Sequence, residues 1–225
     1  MTIDKNRVAL VMPVANELNC AKNLPLWVER GYEVVVLQDR FRFKCPEGVR
    51  VVTPFGNEYR GWYVCCNELA RTWVNRDVGL VVAAGDDMQP DPKHTAQEIA
   101  AMFWQRFPGG YGVMQPIGDT LDGTDRICGS PWFGRGWIER SYQGQGPMHG
   151  GYYGFYGDEE LLNVAKNQGV LWQHPGLTQY HDHWTRKRIA RPHYMDKAQG
   201  ALDRDKALFF ARKQAGFPGS EPLPE

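Results

Sequence analysis

The chain has no apolar run long enough to cross a membrane, and its opening Met1-Thr2-Ile3-Asp4-Lys5-Asn6-Arg7 lacks the apolar core of a signal peptide. Both absences predict a soluble, cytoplasmic protein with no membrane partner. Net charge is missing too: 26 Lys and Arg balance 26 Asp and Glu, so the overall field selects neither a polyanionic nor a polycationic partner. Cysteine is scarce and odd in number, five residues with the vicinal pair Cys65-Cys66 and no Cys-x-x-Cys spacing. That excludes a disulfide framework and a cysteine zinc site, and predicts reduced thiols buried as small hydrophobes. No internal repeat, linker or coiled-coil signature is present, so 225 residues predict one compact unit whose oligomeric state stays open. What the chain has in quantity is aromatic side chains, eight Trp and ten Tyr, which suit stacking on sugar or base rings as well as an ordinary core.

Short apolar runs bounded by turn residues alternate with helical spacings. Val8–Val14 predicts a buried strand, then a Pro-containing loop through Asn16 and Glu17 and a helix over Ala21 to Arg30. Tyr32–Asp39 predicts a second strand, Val49–Thr53 a third, Trp62–Asn75 a helix with Tyr63, Cys66, Leu69, Ala70 and Trp73 inward, and Val78–Ala84 a fourth strand. A helix to Phe107 and a strand within Gly109–Gly118 follow. The stretch from Asp119 to Gly157, rich in Gly, aromatics and turn signals, predicts loops that wall a site. Asp158–Gly169 is a helix with acids in its first turn, and Val170–Trp172 a short strand. The fold class is therefore α/β, a mostly parallel central sheet flanked by helices with right-handed crossovers. The domain spans residues 1–193, a helical C-terminal extension of the same unit runs over 194–219, and 220–225 reads as a disordered tail.

Asp86 and Asp87 close the fourth strand, before Met88-Gln89-Pro90-Asp91-Pro92. Ligands of open α/β sheets gather where such strands end. Adjacent carboxylates repel unless a positive group lies between them, and a hard divalent cation meets that need. Capping of the helix that follows explains the same residues equally simply.

Four features fall in order: the Pro-Val-Ala-Asn loop after the first strand, Asp39 after the second, Asp86-Asp87 after the fourth, and Gly157-Asp158-Glu159 opening a helix. This order, spread over Val8 to Trp184, resembles that of GT-A glycosyltransferases of the family-two type. The resemblance implies a GT-A, Rossmann-like fold and a metal-dependent transfer of a sugar from a nucleotide-diphosphate sugar to a hydroxyl. It places Pro13, Val14, Ala15, Asn16, Asp39 and Asp86 at the donor, with a UDP-sugar as the donor and Mn²⁺ or Mg²⁺ as the cofactor. The family's Asp-x-Asp would put its first Asp on Gly85, so Asp86 stands in beside Asp87 as metal ligand. In Tyr180-His181-Asp182-His183-Trp184 an extended His-x-His points both rings one way, and His181 is the implied ligand with His183 its rival. Asp158 or Glu159 would take the acceptor's proton, with inversion at the anomeric carbon; favourable charge at a helix N-terminus also accounts for both.

On the acceptor side the resemblance implies Trp132, Arg135 and Trp137 of the Gly-rich Cys128–Trp137 stretch, with Met148; packing explains these residues as well. The stretches Cys128–Trp132 and Leu171–Trp184 look like those of bacteriophage-encoded glycosyltransferases, which implies a host cytoplasm and DNA modification, with hydroxymethylated pyrimidines in DNA as acceptor. The basic run Arg186-Lys187-Arg188 would serve such an acceptor, since nine Lys and Arg stand against three Asp between Arg186 and Lys213. A solvated helix face, or cations on the donor diphosphate, would use the same residues. Two other functions fit the sequence: a nucleotidyltransferase of similar layout, which needs no acceptor-side base, and a non-catalytic nucleotide-sugar-binding module.

Overall fold

The computed structural model describes residues 2–38, 42–53, 59–121, 123–186, 191–192 and 195–224. In chain order they form β1 (Asp4–Pro13), α1 (Glu17–Glu29), β2 (Glu33–Leu37), β3 (Val49–Val52), α2 (Trp62–Glu68) running into a π-helical turn (Leu69–Trp73), β4 (Val78–Ala83), β5 (Met88–Gln89), α3 (Ala96–Arg106), β6 (Val113–Pro116), β7 (Trp132–Gly134), α4 (Arg135–Gly144), α5 (Gly157–Asn167), β8 (Leu171–His174), β9 (Tyr180–His181), α6 (Asp196–Gly200) and α7 (Leu202–Gln214).

The continuous apolar runs become central strands because both faces of the sheet are covered. Side chains alternate along β1, so Ala9 and Val11 join Val35, Leu37, Val81, Cys66 and Leu69 in one core, while Val8, Leu10 and Met12 join Leu24, Trp27, Ile99 and Phe103 of α1 and α3 in the other. Each such side chain, fully buried, stabilises the fold by about 1.5–3 kcal/mol. Helix starts are set locally: Asn16 accepts from the Asn19 N–H, and Thr95 and Glu98 form a reciprocal capping box.

The seven-stranded sheet has the order β3-β2-β1-β4-β7-β6-β8. All neighbours are parallel except β7, which runs antiparallel to β4 and β6. β7 and α4 lie inside the stretch whose composition predicts loops. Three residues carry no readable alternation, and β7 is a strand because β4 and β6 flank it on both sides. A Cβ on Gly134 would stand 2.0 Å from the Gly110 carbonyl oxygen, so this close approach requires glycine.

The C-terminal segment docks. α7 turns Asp205, Phe209 and Arg212 inward, one helical face at i, i+4 and i+7. Beyond it, Phe217 is buried, Gln168 Nε2 donates to the Ser220 carbonyl (3.0 Å), and Leu223 exchanges two bonds with Arg140, each 2.8 Å. Composition predicts disorder for this tail; backbone pairing with α4, invisible in composition, holds it. No helix among the described residues is long and apolar enough to cross a membrane.

Candidate active site

The chain leaves β1 toward β2 on one side and reaches β4 on the other, so a crevice opens at the carboxyl ends of β1 and β4. Pro13, Val14, Ala15, Leu37, Gly85 and Asp87 form its floor, and Tyr59, Trp62, His183, Trp184, Met195 and Ala198 enclose a cavity of about 190 Å³. A second chamber beside it is lined by Tyr63, Met88, Ile127, Gly129, Gly154 and Asp158. Trp62, Gly85, Asp87 and His181 belong to both, so the two chambers meet at one shared wall.

The adjacent carboxylates have separate roles. Asp86 Oδ2 accepts from the N–H groups of Ala15 (2.8 Å) and Asn16 (2.9 Å), and its Oδ1 accepts from Asn19 Nδ2 (3.1 Å). Its two oxygens are bonded to the β1–α1 loop and to the first turn of α1, and burial pushes this carboxyl above the ordinary range in spite of those bonds. Asp86 also lines the first chamber, and through these bonds it fixes the loop that presents Pro13, Val14 and Ala15 there. Asp87 Oδ2 instead lies 3.2 Å from His181 Nε2. Burial acts to raise Asp87, but the hydrogen bond and charge of His181 outweigh it and hold the carboxyl below its usual range.

A short ribbon brings this pair together. β5 pairs with β9, setting Met88 opposite His181, and the Asp182 N–H donates to the Asp87 carbonyl at 2.8 Å. Asp119 Oδ2 accepts the His181 N–H (3.0 Å), Arg186 Nε donates to the His181 carbonyl (2.8 Å), and Arg186 and Asp119 are themselves paired. The backbone of His181 is thus held from both sides. The His181 and His183 rings stand 4.8 Å apart. His183 Nδ1 lies 2.7 Å from Thr185 Oγ1, which orients the ring and leaves Nε2 as the nitrogen for a ligand. Burial lowers the His183 pKa and favours the neutral imidazole that a metal requires. Among the described residues no three His, Cys, Asp or Glu already converge on one point. Asp87, His181 and His183 are neighbours without forming such a group; oxygen and nitrogen donors of this kind could hold Mn²⁺ more readily than Mg²⁺.

Asp158, in the first turn of α5 after Tyr156 in the left-handed region (φ 66°), lines the second chamber. Its Oδ1 accepts from Tyr63 OH (3.2 Å) and the Glu159 N–H (3.0 Å), leaving Oδ2 for a ligand. Burial pushes its carboxyl above the ordinary range, the direction a general base near neutral pH requires. Glu159, one residue further around the helix, lines neither chamber; burial and the charge of Asp158 push its carboxyl up against the opposing charge of Lys213.

The residues expected at the acceptor lie elsewhere. Trp132, Arg135, Trp137 and Met148 are each at most 2 % exposed. Trp132 donates to Gln179, Trp137 to the Pro147 carbonyl, and Arg135 to the carbonyls of Val78 and Asn75 at the opposite end of β4; Asn67 holds Met148. Their Gly-rich surroundings reflect a buried strand and a tight packing corner. Arg186 supports His181 as described. Asp39, Lys187 and Arg188 lie outside the described residues. Of the basic C-terminal residues, Arg186, Arg191, Arg204 and Arg212 each face a carboxylate, those of Asp119, Asp196, Asp205 and Glu160. The enclosing residues that motif reasoning missed, Tyr59, Trp62, Met195 and Ala198, come from helices and loops with no motif; an aromatic pair at a helix start, Trp62-Tyr63, was the one available signal.

By sequence, no protein family and no curated protein matches the chain. By structure it is similar to a Drosophila β-1,4-galactosyltransferase 7 mutant solved with manganese, UDP-Gal and xylobiose, with a TM-score of 0.50, 13 % identity, and 83 % of this chain and 76 % of that one covered. The likeness carries the architecture: the chain has a GT-A-type α/β fold, a mostly parallel central sheet flanked by helices.

Proposed function

We propose that the protein is a metal-dependent glycosyltransferase that moves a sugar from a UDP-sugar to a hydroxyl acceptor with inversion. The observation that carries this is the shared wall: Asp87 and His181 line both a chamber at the strand ends and a second chamber that Asp158 also lines. The nucleotide would lie over Val14 and Ala15, and the diphosphate against Asp87, His181 and His183. When bound, a divalent cation there would offset the negative charge gathering on the departing diphosphate. Asp158 Oδ2 would take the proton as the acceptor oxygen bonds to the anomeric carbon; the bond to the β-phosphate oxygen breaks and UDP leaves with its electron pair. The relative solved with manganese and UDP-Gal supports this choice of donor and ion.

Among the described residues neither chamber is lined by Lys or Arg. Trp62, Tyr63, Met88 and Ile127 suit a neutral ring that carries the hydroxyl. DNA with hydroxymethylated pyrimidines is the second acceptor class, favoured by a notch lined by Tyr153, Lys197 and Arg204 beside the Gly154 wall, where a phosphate could sit. The arginines already paired with carboxylates weigh against it.

Titrating the protein with UDP, with and without Mn²⁺, tests the donor chamber. Binding should require the ion, and Asp87→Ala should abolish that requirement along with most of the affinity. Trp184 lines the chamber, and its buried indole N–H has no hydrogen-bond partner among the described residues. Trp184→Phe should therefore weaken UDP by about 2- to 12-fold, the worth of one ordinary hydrogen bond. Equal UDP binding by wild type with and without Mn²⁺, or wild-type affinity in Asp87→Ala, would remove the proposal's basis.

A further inference from the structure

Asp205, on the buried face of α7, is fully buried, and its carboxylate serves a loop distant in sequence. Its Oδ2 accepts three successive backbone N–H groups, from Tyr153 (3.0 Å), Gly154 (2.9 Å) and Phe155 (3.1 Å). Its Oδ1 accepts from Arg204, which also donates to the Gly151 carbonyl. Consecutive N–H groups turned to one point form an anion cradle; here the anion belongs to the chain itself.

The cradled loop builds one side of the second chamber, the side formed by Gly154 and the start of α2. The Tyr153 carbonyl accepts the Trp62 N–H at 2.9 Å, starting α2 at the residue that lines both chambers. Tyr153 OH donates to the Tyr59 carbonyl (3.1 Å), and a Cβ on Gly61 would stand 2.6 Å from the Tyr153 oxygen, so the loop and the α2 start fit closely. Gly154 lines the second chamber and packs on Ala198 of the first. Tyr156, in its left-handed conformation, then turns the chain into Gly157 and Asp158.

We propose that Asp205 is a positioning residue for transfer: by holding residues 153–155 it sets Trp62 and Asp158 at a fixed separation across the acceptor chamber. This rests on the glycosyltransferase reading. It gives α7, whose charge suggests a nucleic-acid face, a role in aligning the acceptor's hydroxyl with its base. Asp205 touches no reacting atom, so its loss acts on turnover and leaves the donor's own contacts in place.

The test uses the full-length protein as wild type, Asp205→Ala and Asp205→Asn, with Mn²⁺ and UDP-galactose or UDP-glucose, and water in place of the acceptor. In Asp205→Ala the amides of residues 153–155 should exchange at least about 10-fold faster, as loss of bonds to a charged acceptor implies, while amides of β1 and β4 stay unchanged. UDP release should fall about 10-fold or more, with Mn²⁺-dependent UDP affinity held within about 2-fold. Asp205→Asn keeps a carbonyl oxygen for the N–H groups, so it should recover part of both effects and serves if the alanine variant does not fold. Unchanged exchange at 153–155, or a loss of release explained wholly by weaker UDP binding, overturns the proposal. A wild type that releases no UDP from any donor counts against the enzymatic reading alone, and the exchange measurement still decides whether Asp205 holds the loop.

Discussion

Asp158→Asn should lower the rate of transfer by about 10²- to 10⁴-fold, the usual contribution of a positioned general base, with Mn²⁺-dependent UDP binding unchanged. The amide can still accept the Tyr63 hydroxyl bond that Asp158 Oδ1 now accepts, so geometry is kept while proton acceptance is lost. The variant should also be at least as stable as wild type. Because burial raises the folded-state pKa of Asp158, the ionised form is disfavoured in the fold. The resulting contribution to stability is present below the unfolded carboxyl pKa and is lost as pH rises through the folded one. Replacing the group by a neutral isostere removes that cost at neutral pH, so melting near pH 7 should occur at an equal or higher temperature. The same direction of shift puts the acid limb of the wild-type rate profile above the range of an ordinary aspartate, and that limb should vanish in the variant. Full transfer by Asp158→Asn would remove Asp158 from the role of base.

The second large effect is on stability. Glu160, 0 % exposed, accepts two bonds from Arg212, Nε to Oε2 and Nη2 to Oε1, both 2.8 Å, and a third from Tyr152 OH at 2.7 Å. Arg212→Leu leaves that carboxylate buried and deprived of its cation, which should cost about 3–5 kcal/mol. In a protein of this length that lowers the melting temperature by roughly 6–20 °C. Adding Glu160→Gln to Arg212→Leu should restore much of the loss, because the penalty lies in the unpaired charge more than in the missing contact. A loss below about 1 kcal/mol would be the value of an exposed ion pair and would contradict this arrangement.

The parallel half of the sheet was legible because strands buried on both faces must be nearly all apolar, as Val8–Met12, Val34–Leu37 and Val78–Ala83 are. The order of polar groups at strand ends led to the crevice and to Asp87, His181 and Asp158, which line the two chambers. Three things were hidden. Neighbours at a turn take different partners, so Asp86 and Asp87 looked like one pair although one binds the β1–α1 loop and the other pairs with His181. A Gly-rich aromatic stretch reads alike whether it lies open to a ligand or packs into a core, and Trp132 and Trp137 took the second course. A cationic helix shows its charges but not their partners: Arg204 and Arg212 meet buried acids. Each of these depends on side-chain direction, which residue order leaves undetermined.

The central claim is that the wall between the two chambers is where a nucleotide-sugar bond is broken. The direct measurement is release of nucleoside diphosphate from a panel of sugar nucleotides with Mn²⁺, in wild type and Asp87→Ala, with and without DNA containing hydroxymethylated pyrimidines and with neutral sugar acceptors in parallel. Release by wild type that depends on Mn²⁺ and disappears in Asp87→Ala is the predicted result, and the acceptor that accelerates it names the second chamber's substrate. Absence of release from every donor, or release that Asp87→Ala retains in full, would contradict the account.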